Sequence, residues 1–232
     1  MRFITKARVG IDTLLGKVPY HIVQAHYPIE FHGTEYGGWT ICPSDISHDS
    51  IVYSFGIGED VSFDNSLINK YRLNIFAFDP TPKSFKWVES QKLPREFRCF
   101  GYGIADYDGI AKFYPPENPE HISHTLLNND VTSSQAIKVE VRKLKTIMDM
   151  LGHQKIDILK MDVEGAEYSV IRNIIDSNIE ISQILVEFHH RFLNNGLSET
   201  NSIIQLLNKH NYKIFAISDS LEEYSFINEN FR

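Results

Sequence analysis

Cysteine is scarce in this chain: Cys42 and Cys99 are its only two, they lie far apart, and no CxxC pair occurs. That excludes a disulfide framework and a cysteine-held structural zinc, and leaves two buried free thiols as the expectation. Long apolar runs are missing as well. Nothing approaches the ~18 residues of a membrane span, and the opening MRFITKARVGIDTLLG has no continuous apolar stretch with a cleavage site. A cytoplasmic protein without a membrane span is therefore expected. Positive charge is in deficit: the formal net charge of -7 argues against a nucleic-acid partner, whose phosphates demand the opposite sign. The densest basic run, VRKLK at 141–145, reads as a solvated face. Repeats of fixed period and low-complexity tracts are absent.

What the 232 residues do contain is a globular composition, 42% hydrophobic and 23% charged, and enough length for one sizeable core. From residue 51 on, short β-rich runs alternate with segments of helical period. IVYSF (51–55), NIFAFD (74–79), FRCFGYGI (97–104), IDILKMD (156–162), QILVEFH (183–189) and YKIFAIS (212–218) read as strands. VSFDNSLINKY, PKSFKWVES, GAEYSVIRNII and ETNSIIQLLNKH read as helices between them. Such alternation implies an α/β fold with right-handed crossovers and a mostly parallel sheet, helices on both faces. YKIFAIS and EYSFIN are separated only by DSLE, too short for a helical crossover, so the last two strands are expected to pair antiparallel. One antiparallel C-terminal strand on a parallel sheet fits a methyltransferase-type Rossmann-like variant, whereas a dehydrogenase is expected to keep its sheet parallel. Residues 1–50, aromatic and histidine-rich with the tight-turn signal YGGW at 36–39, read as an N-terminal cap or extension packed on a domain of residues 51–232. The Pro-, Asn- and Ser-rich stretch 114–135 reads as a substrate-side lid.

Behind the strand IVYSF comes SFGIGED at 54–60. In a G-x-G-x-x-G dinucleotide turn, glycines let the backbone approach a pyrophosphate at a helix N-terminus. Gly56 and Gly58 fill the first two positions, but Val61 takes the third, and Glu59 and Asp60 bring like charge to any phosphate. S-adenosylmethionine reverses the demand: it has no phosphate and presents an ammonium and a sulfonium that carboxylates attract. The alternative for both acids is simple decoration of a helix N-terminus. Asp79 ends the next strand roughly 20 residues on, the spacing of an acid that accepts ribose hydroxyls. Pro80 stops that strand, Thr81 is placed to cap and Pro82 suits the first helical position. Asp106, in GIADYDG, is a candidate for an adenine amino group or a solvated turn acid.

VYSFGIGEDVSFD, AFDPTPKSFKWV, IDILKMDVEGAEYSVI and ILVEFHHRF, in that order, resemble the FkbM family of S-adenosylmethionine-dependent O-methyltransferases over about residues 50–220, with KMDVEGAE as the most specific motif. The resemblance implies a class I methyltransferase fold, a cofactor held across the glycine turn and Asp79, and methyl transfer to a hydroxyl of a sugar, glycan or polyketide. The cofactor wall is then expected from Ser54, Phe55, Gly56, Gly58, Glu59, Asp60, Asp79, Pro80, Ile104, Asp106 and Asp162. Ser54 stands where many members carry an acid, which shifts the electrostatic burden to Glu59 and Asp60.

Ligands of such sheets sit outside the carboxyl ends of the strands. Lys160, Asp162 and Glu164 end one strand and Glu187 and His189 the next; alternation puts Glu187 and His189 on one face and His190 on the other. Methyl transfer needs an aligned hydroxyl and removal of its proton. His189 is the expected base, with Asp162, Glu187 and Lys160 around it, and Glu164, His124 and His190 are assigned to the acceptor. Asp162, Glu187 and His189 equally suit a divalent metal, which nothing in the spacing demands. Two other classes stay open: a nicotinamide-dependent oxidoreductase and a non-catalytic cofactor-binding module. Oligomeric state is not legible.

Overall fold

The computed structural model describes residues 21–114, 136–193 and 195–231. A hairpin of β1 (Glu30–His32) and β2 (Trp39–Ile41) precedes β3 (Ile51–Phe55), α1 (Ser62–Tyr71), β4 (Asn74–Phe78), α2 (Pro82–Ser90) and β5 (Phe97–Phe100). Then come β6 (Gly103–Ile104), β7 (Gly109–Phe113), β8 (Ile137–Arg142), α3 (Leu144–Leu151), β9 (Ile156–Met161) and α4 (Glu167–Asp176). The chain ends with β10 (Ile181–Glu187), a 3-10 turn, α5 (Gly196–Lys209), β11 (Tyr212–Ile217) and β12 (Glu223–Asn228). No helix among the described residues is long and apolar enough to cross a membrane.

Seven strands form the central sheet in the order β11-β12-β10-β9-β3-β4-β5. The pairs β10/β9, β9/β3, β3/β4 and β4/β5 are parallel, and β12 runs antiparallel to both neighbours. This is the class I methyltransferase arrangement. The order reverses between β3 and β9, so the carboxyl ends of these strands open a crevice.

Strand alternation sorts the core. Tyr53, Phe55, Phe76, Phe78, Ile184 and Val186 point to the face covered by α3, α4 and α5, while Val52, Ile75, Ala77 and Leu185 point to the face covered by α1, α2 and the hairpin. Tyr53, Phe55, Phe78, Phe100 and Tyr102 form an aromatic row on the first face. On the second, Trp39 and Ile41 pack with Leu67 of α1, and Glu30 is tied to Lys70 at 2.6 Å and accepts from the Tyr71 hydroxyl at 2.6 Å. Gln183 of β10 bridges the N–H and the C=O of Cys42, which fastens the segment after β2 to the middle of the sheet.

The reading differs from the structure in the middle of the chain. FRCFGYGI is two strands: β5 ends at Phe100, and β6 joins a second sheet of order β6-β8-β7. Tyr102 makes the corner, buried against Phe78 with the Arg142 guanidinium 4.7 Å over its ring. The cations of VRKLK stay in contact with solvent, with Lys145 exposed. The run itself spans the end of β8 and the start of α3, with Val141 and Leu144 buried. Of the stretch 114–135, all but Tyr114 lies outside the described residues.

Candidate active site

The cavity at the carboxyl ends of β3, β4, β9 and β10 has a volume of about 530 Å³ and takes in the glycine turn, Asp79, Asp162, Glu164 and Glu187. Its first end is the turn after β3. Gly56 (φ +75°) carries the chain across β9 so closely that a Cβ would sit 1.7 Å from the Asp162 carbonyl oxygen, which no side chain survives. Gly58 (φ +56°) faces open space, leaving the backbone bare toward the cavity.

Two charged residues clamp this turn. Asp79 Oδ2 accepts the N–H groups of Ile57 (3.1 Å) and Gly58 (3.0 Å), while Oδ1 accepts the N–H of Thr81 (2.9 Å) and its hydroxyl (2.6 Å). A carboxylate offers about four acceptor positions, so protein donors already fill this one. From the other side the Lys160 ammonium donates to the carbonyls of Phe55, at 3.2 Å, and Gly56. Asp79 thus braces the turn, and Thr81 serves Asp79 instead of capping α2. The same bonds bear on the oxidoreductase alternative: a pyrophosphate would find the N–H groups of residues 57 and 58 already committed to a carboxylate.

Glu59 and Asp60 both line the cavity. Asp60 accepts the Ser62 N–H at 2.6 Å and the Thr34 hydroxyl at 3.0 Å. Burial raises its pKa, but these donors outweigh it and hold the carboxyl below the usual range. Glu59 lies 3.8 Å from the half-exposed Lys83.

The second end is organised by KMDVEGAE. β9 stops at Met161; Glu164 (φ +50°) and Gly165 (φ +102°) turn the chain through left-handed backbone, and α4 starts at Glu167. Glu167 is fully buried and accepts the N–H of Gly165 at 2.8 Å through Oε2 and that of His189 at 2.8 Å through Oε1. It thereby ties the β9 turn to the β10 turn. The His189 ring is pinned between four carboxylates. Its Nε2 lies 3.3 Å from Glu164, 3.6 Å from Asp162 and 3.7 Å from Glu187, and its Nδ1 lies 3.4 Å from Glu167. Burial alone would push this imidazole down, but the surrounding acids prevail and lift its pKa to about 10. Such a shift favours the protonated imidazole at neutral pH and weighs against a histidine base. Glu187 is raised to about 8, by burial first and then by Asp162.

Phe55, Gly56, Gly58, Glu59, Asp60, Asp79, Pro80, Ile104, Lys160, Asp162, Glu164 and Glu187 all line the cavity as anticipated. Four expected residues do not: His189 is buried beside Asp162, Glu164 and Glu187 without lining the cavity, and three others lie elsewhere. Ser54 is buried inside β3, Asp106 is exposed outside the cavity, and His190 is buried away from it because the chain leaves β10 at Glu187 and turns. His124 lies outside the described residues. The metal alternative shifts by one residue: Asp162, Glu164 and His189 bring donor atoms within 4.8 Å of one another. Sequence reasoning missed Glu35, Tyr36, Trp39 and Glu223, which complete the wall. YGGW was visible only as a turn, and Glu223 faces the cavity solely through strand register.

A family model for the methyltransferase FkbM domain matches residues 47–214, most of the chain. The chain belongs to the FkbM methyltransferase family. Probable methyltransferase-like protein 24 of Homo sapiens is 28% identical over 162 residues, 65% of this chain and 38% of that protein. 2-O-methyltransferase NoeI of Sinorhizobium fredii is 22% identical over 173 residues, covering 68% of this chain and 71% of its own length. Hexuronic acid methyltransferase AglP of Haloferax volcanii is 22% identical over 120 residues, 51% of this chain and 48% of AglP. The chain thus spans little more than a third of the human relative it matches.

Proposed function

We propose that this FkbM-family chain is an S-adenosylmethionine-dependent O-methyltransferase whose acceptor is a hydroxyl of a carbohydrate or another polyhydroxylated small molecule. The observation that carries the reading is the glycine turn, whose N–H groups are consumed by Asp79 and whose neighbours are acids. Such a turn disfavours phosphate and favours a cationic, phosphate-free cofactor. The residues present fit that group: open space at Gly58, Glu59 and Asp60 for positive charge, and Lys160 as the one cationic side chain among the described lining residues, suited to a carboxylate. When bound, the cofactor supplies an electrophilic methyl group.

The chain's own residues then have three tasks. Phe55, Phe78, Ile104 and Phe113 give the cavity an apolar wall that excludes water. Glu187 takes the acceptor hydroxyl's proton, with a pKa lifted far enough to make it an effective base near neutrality. His189, held protonated, orients Asp162, Glu164 and Glu187 as a positioning residue, and Glu167 fixes His189 in turn. The names of NoeI and AglP, a 2-O-methyltransferase and a hexuronic acid methyltransferase, support a sugar acceptor. The test is transfer of a labelled methyl group from S-adenosylmethionine to a panel of glycosides and polyols. Label in a hydroxyl ether of at least one member, lost in Glu187→Gln, is expected; label on nitrogen or carbon alone would overturn the reading.

A further inference from the structure

We infer that Thr34 is a positioning residue for this site: its hydroxyl registers the hairpin turn that walls one side of the cavity on the acid of the glycine turn, so that cofactor uptake orders that wall. The inference rests on the reading proposed above and adds to it a residue and a linkage.

The turn between β1 and β2 lies over the cavity, which Glu35, Tyr36, Gly37, Gly38 and Trp39 all line. Its tip is outside the core, with Thr34, Glu35 and Tyr36 exposed. A closed set of hydrogen bonds holds it instead. The Thr34 hydroxyl donates to Asp60 Oδ2 at 3.0 Å and accepts the Gly37 N–H at 3.0 Å and the Ser62 hydroxyl at 3.4 Å. The Thr34 N–H donates to Ser62 Oγ at 2.9 Å. A hydroxyl has one proton to give and two lone pairs to offer, so that of Thr34 is fully used. Asp60 takes the Ser62 N–H through its other oxygen, at 2.6 Å, and one carboxylate thereby holds both the hairpin tip and the first turn of α1.

Packing supports the same joint. A Cβ on Gly37 would come within 2.7 Å of the Asp60 carboxyl, so the tip lies against this acid as closely as backbone allows. On the return strand, the ring of Trp39 lies 5.7 Å from the Lys160 ammonium, which itself donates to the carbonyls of Phe55 and Gly56. The hairpin thus meets the glycine turn from two directions. It also reaches the other end of the cavity: the Tyr36 phenol is pushed up by burial first and then by the fields of Asp162, Glu187, Glu164 and Asp60.

Asp60 is part of the cavity wall, so a cofactor seated on the glycine turn fixes it, and through Thr34 it fixes the tip. Linkage makes the effect reciprocal. The factor by which the cofactor steadies the tip is the factor by which loss of the Thr34 bond weakens the cofactor.

The Gly37 amide reads the joint directly, because its proton is bonded to Thr34 Oγ1. Its hydrogen exchange, measured on the full chain with and without saturating S-adenosylhomocysteine, is paired with calorimetry of the same compound. S-adenosylhomocysteine is expected to slow Gly37 exchange ~5-fold or more in the wild type, the scale of an ordinary coupling between sites. Thr34→Val, nearly isosteric and at an exposed position, should abolish the slowing and weaken S-adenosylhomocysteine by the same factor to within about twofold, with amide protection in β11 and β12 unchanged. Thr34→Ser should restore both. The wild-type measurement is decisive whether or not a variant folds. Absence of slowing there, equal slowing in Thr34→Val, unchanged affinity in Thr34→Val, or a Thr34→Ser that behaves as Thr34→Val overturns the inference and leaves the methyltransferase reading intact. Failure of S-adenosylhomocysteine to bind the wild type would instead overturn the proposed function and the inference with it.

Discussion

At the glycine-turn end of the cavity, Asp79 and Asp60 each meet backbone and hydroxyl donors around one turn, whereas at the β9/β10/β12 end Asp162, Glu164 and Glu187 gather around the His189 imidazole and Glu223 is held by the hydroxyls of Ser218 and Ser220. The first set also braces the backbone. Removing an acid there strands backbone donors. In the second set burial and the neighbouring Asp162 raise the Glu187 carboxyl to about 8, so ionising it costs stability. A group of like charges kept at the expense of stability is what a ligand-binding or catalytic end looks like.

The contrast breaks most severely at Gly56. Gly56→Ala forces a Cβ into the Asp162 carbonyl and should abolish cofactor binding and yield little folded protein, read by calorimetry and circular dichroism. Asp79→Ala, which leaves four donors without their acceptor, should cost about 3 kcal/mol or more in denaturant unfolding.

Glu187→Gln is the counterpart at the other end. It should lower kcat by ~100-fold or more while leaving cofactor affinity within about twofold, and the wild-type rate should rise with pH through about 8. An equal loss of kcat and of cofactor affinity would mean that Glu187 holds the cofactor.

Stability should move the opposite way. The folded-state pKa of Glu187 is raised, so its ionised form costs stability above the ordinary carboxylate range, and the cost is complete once pH passes about 8. His189 is also raised; its contribution is fully present below the ordinary imidazole pKa and is lost as pH rises through about 10. Thermal unfolding should therefore show wild-type stability declining from pH 6.5 to 10. Glu187→Gln should gain ~1 kcal/mol, about 2–4 °C, at pH 9 and little at pH 5. The smallest effect belongs to Glu59→Gln, whose partner Lys83 is half-exposed: cofactor affinity should fall about two- to fivefold and weaken further with salt.

The sheet was legible because its strands are continuous apolar runs bounded by turn residues, and IVYSF and PKSFKWVES coincide with β3 and α2 residue for residue. The second sheet was not. IKVEVR, the middle strand of that sheet, alternates as a strand with one buried face should, but its last residues sit in a basic run that masks the pattern. At the site, the convergence of Asp162, Glu187 and His189 followed from strand ends alone. Their protonation did not, because it depends on Glu164 and Glu167 closing around the ring, a result of the left-handed turn at residues 164–165. The bracing role of Asp79 was equally hidden: its spacing from the glycines is the same whether it faces a ribose or the turn itself.

The claim on which the rest depends is that the glycine turn accepts a cationic cofactor and refuses phosphate. Calorimetric titration of the full chain with S-adenosylmethionine and, separately, with NAD⁺ tests it most directly. One equivalent of S-adenosylmethionine with no detectable NAD⁺ is the predicted result; saturable NAD⁺ binding with no uptake of S-adenosylmethionine would contradict it.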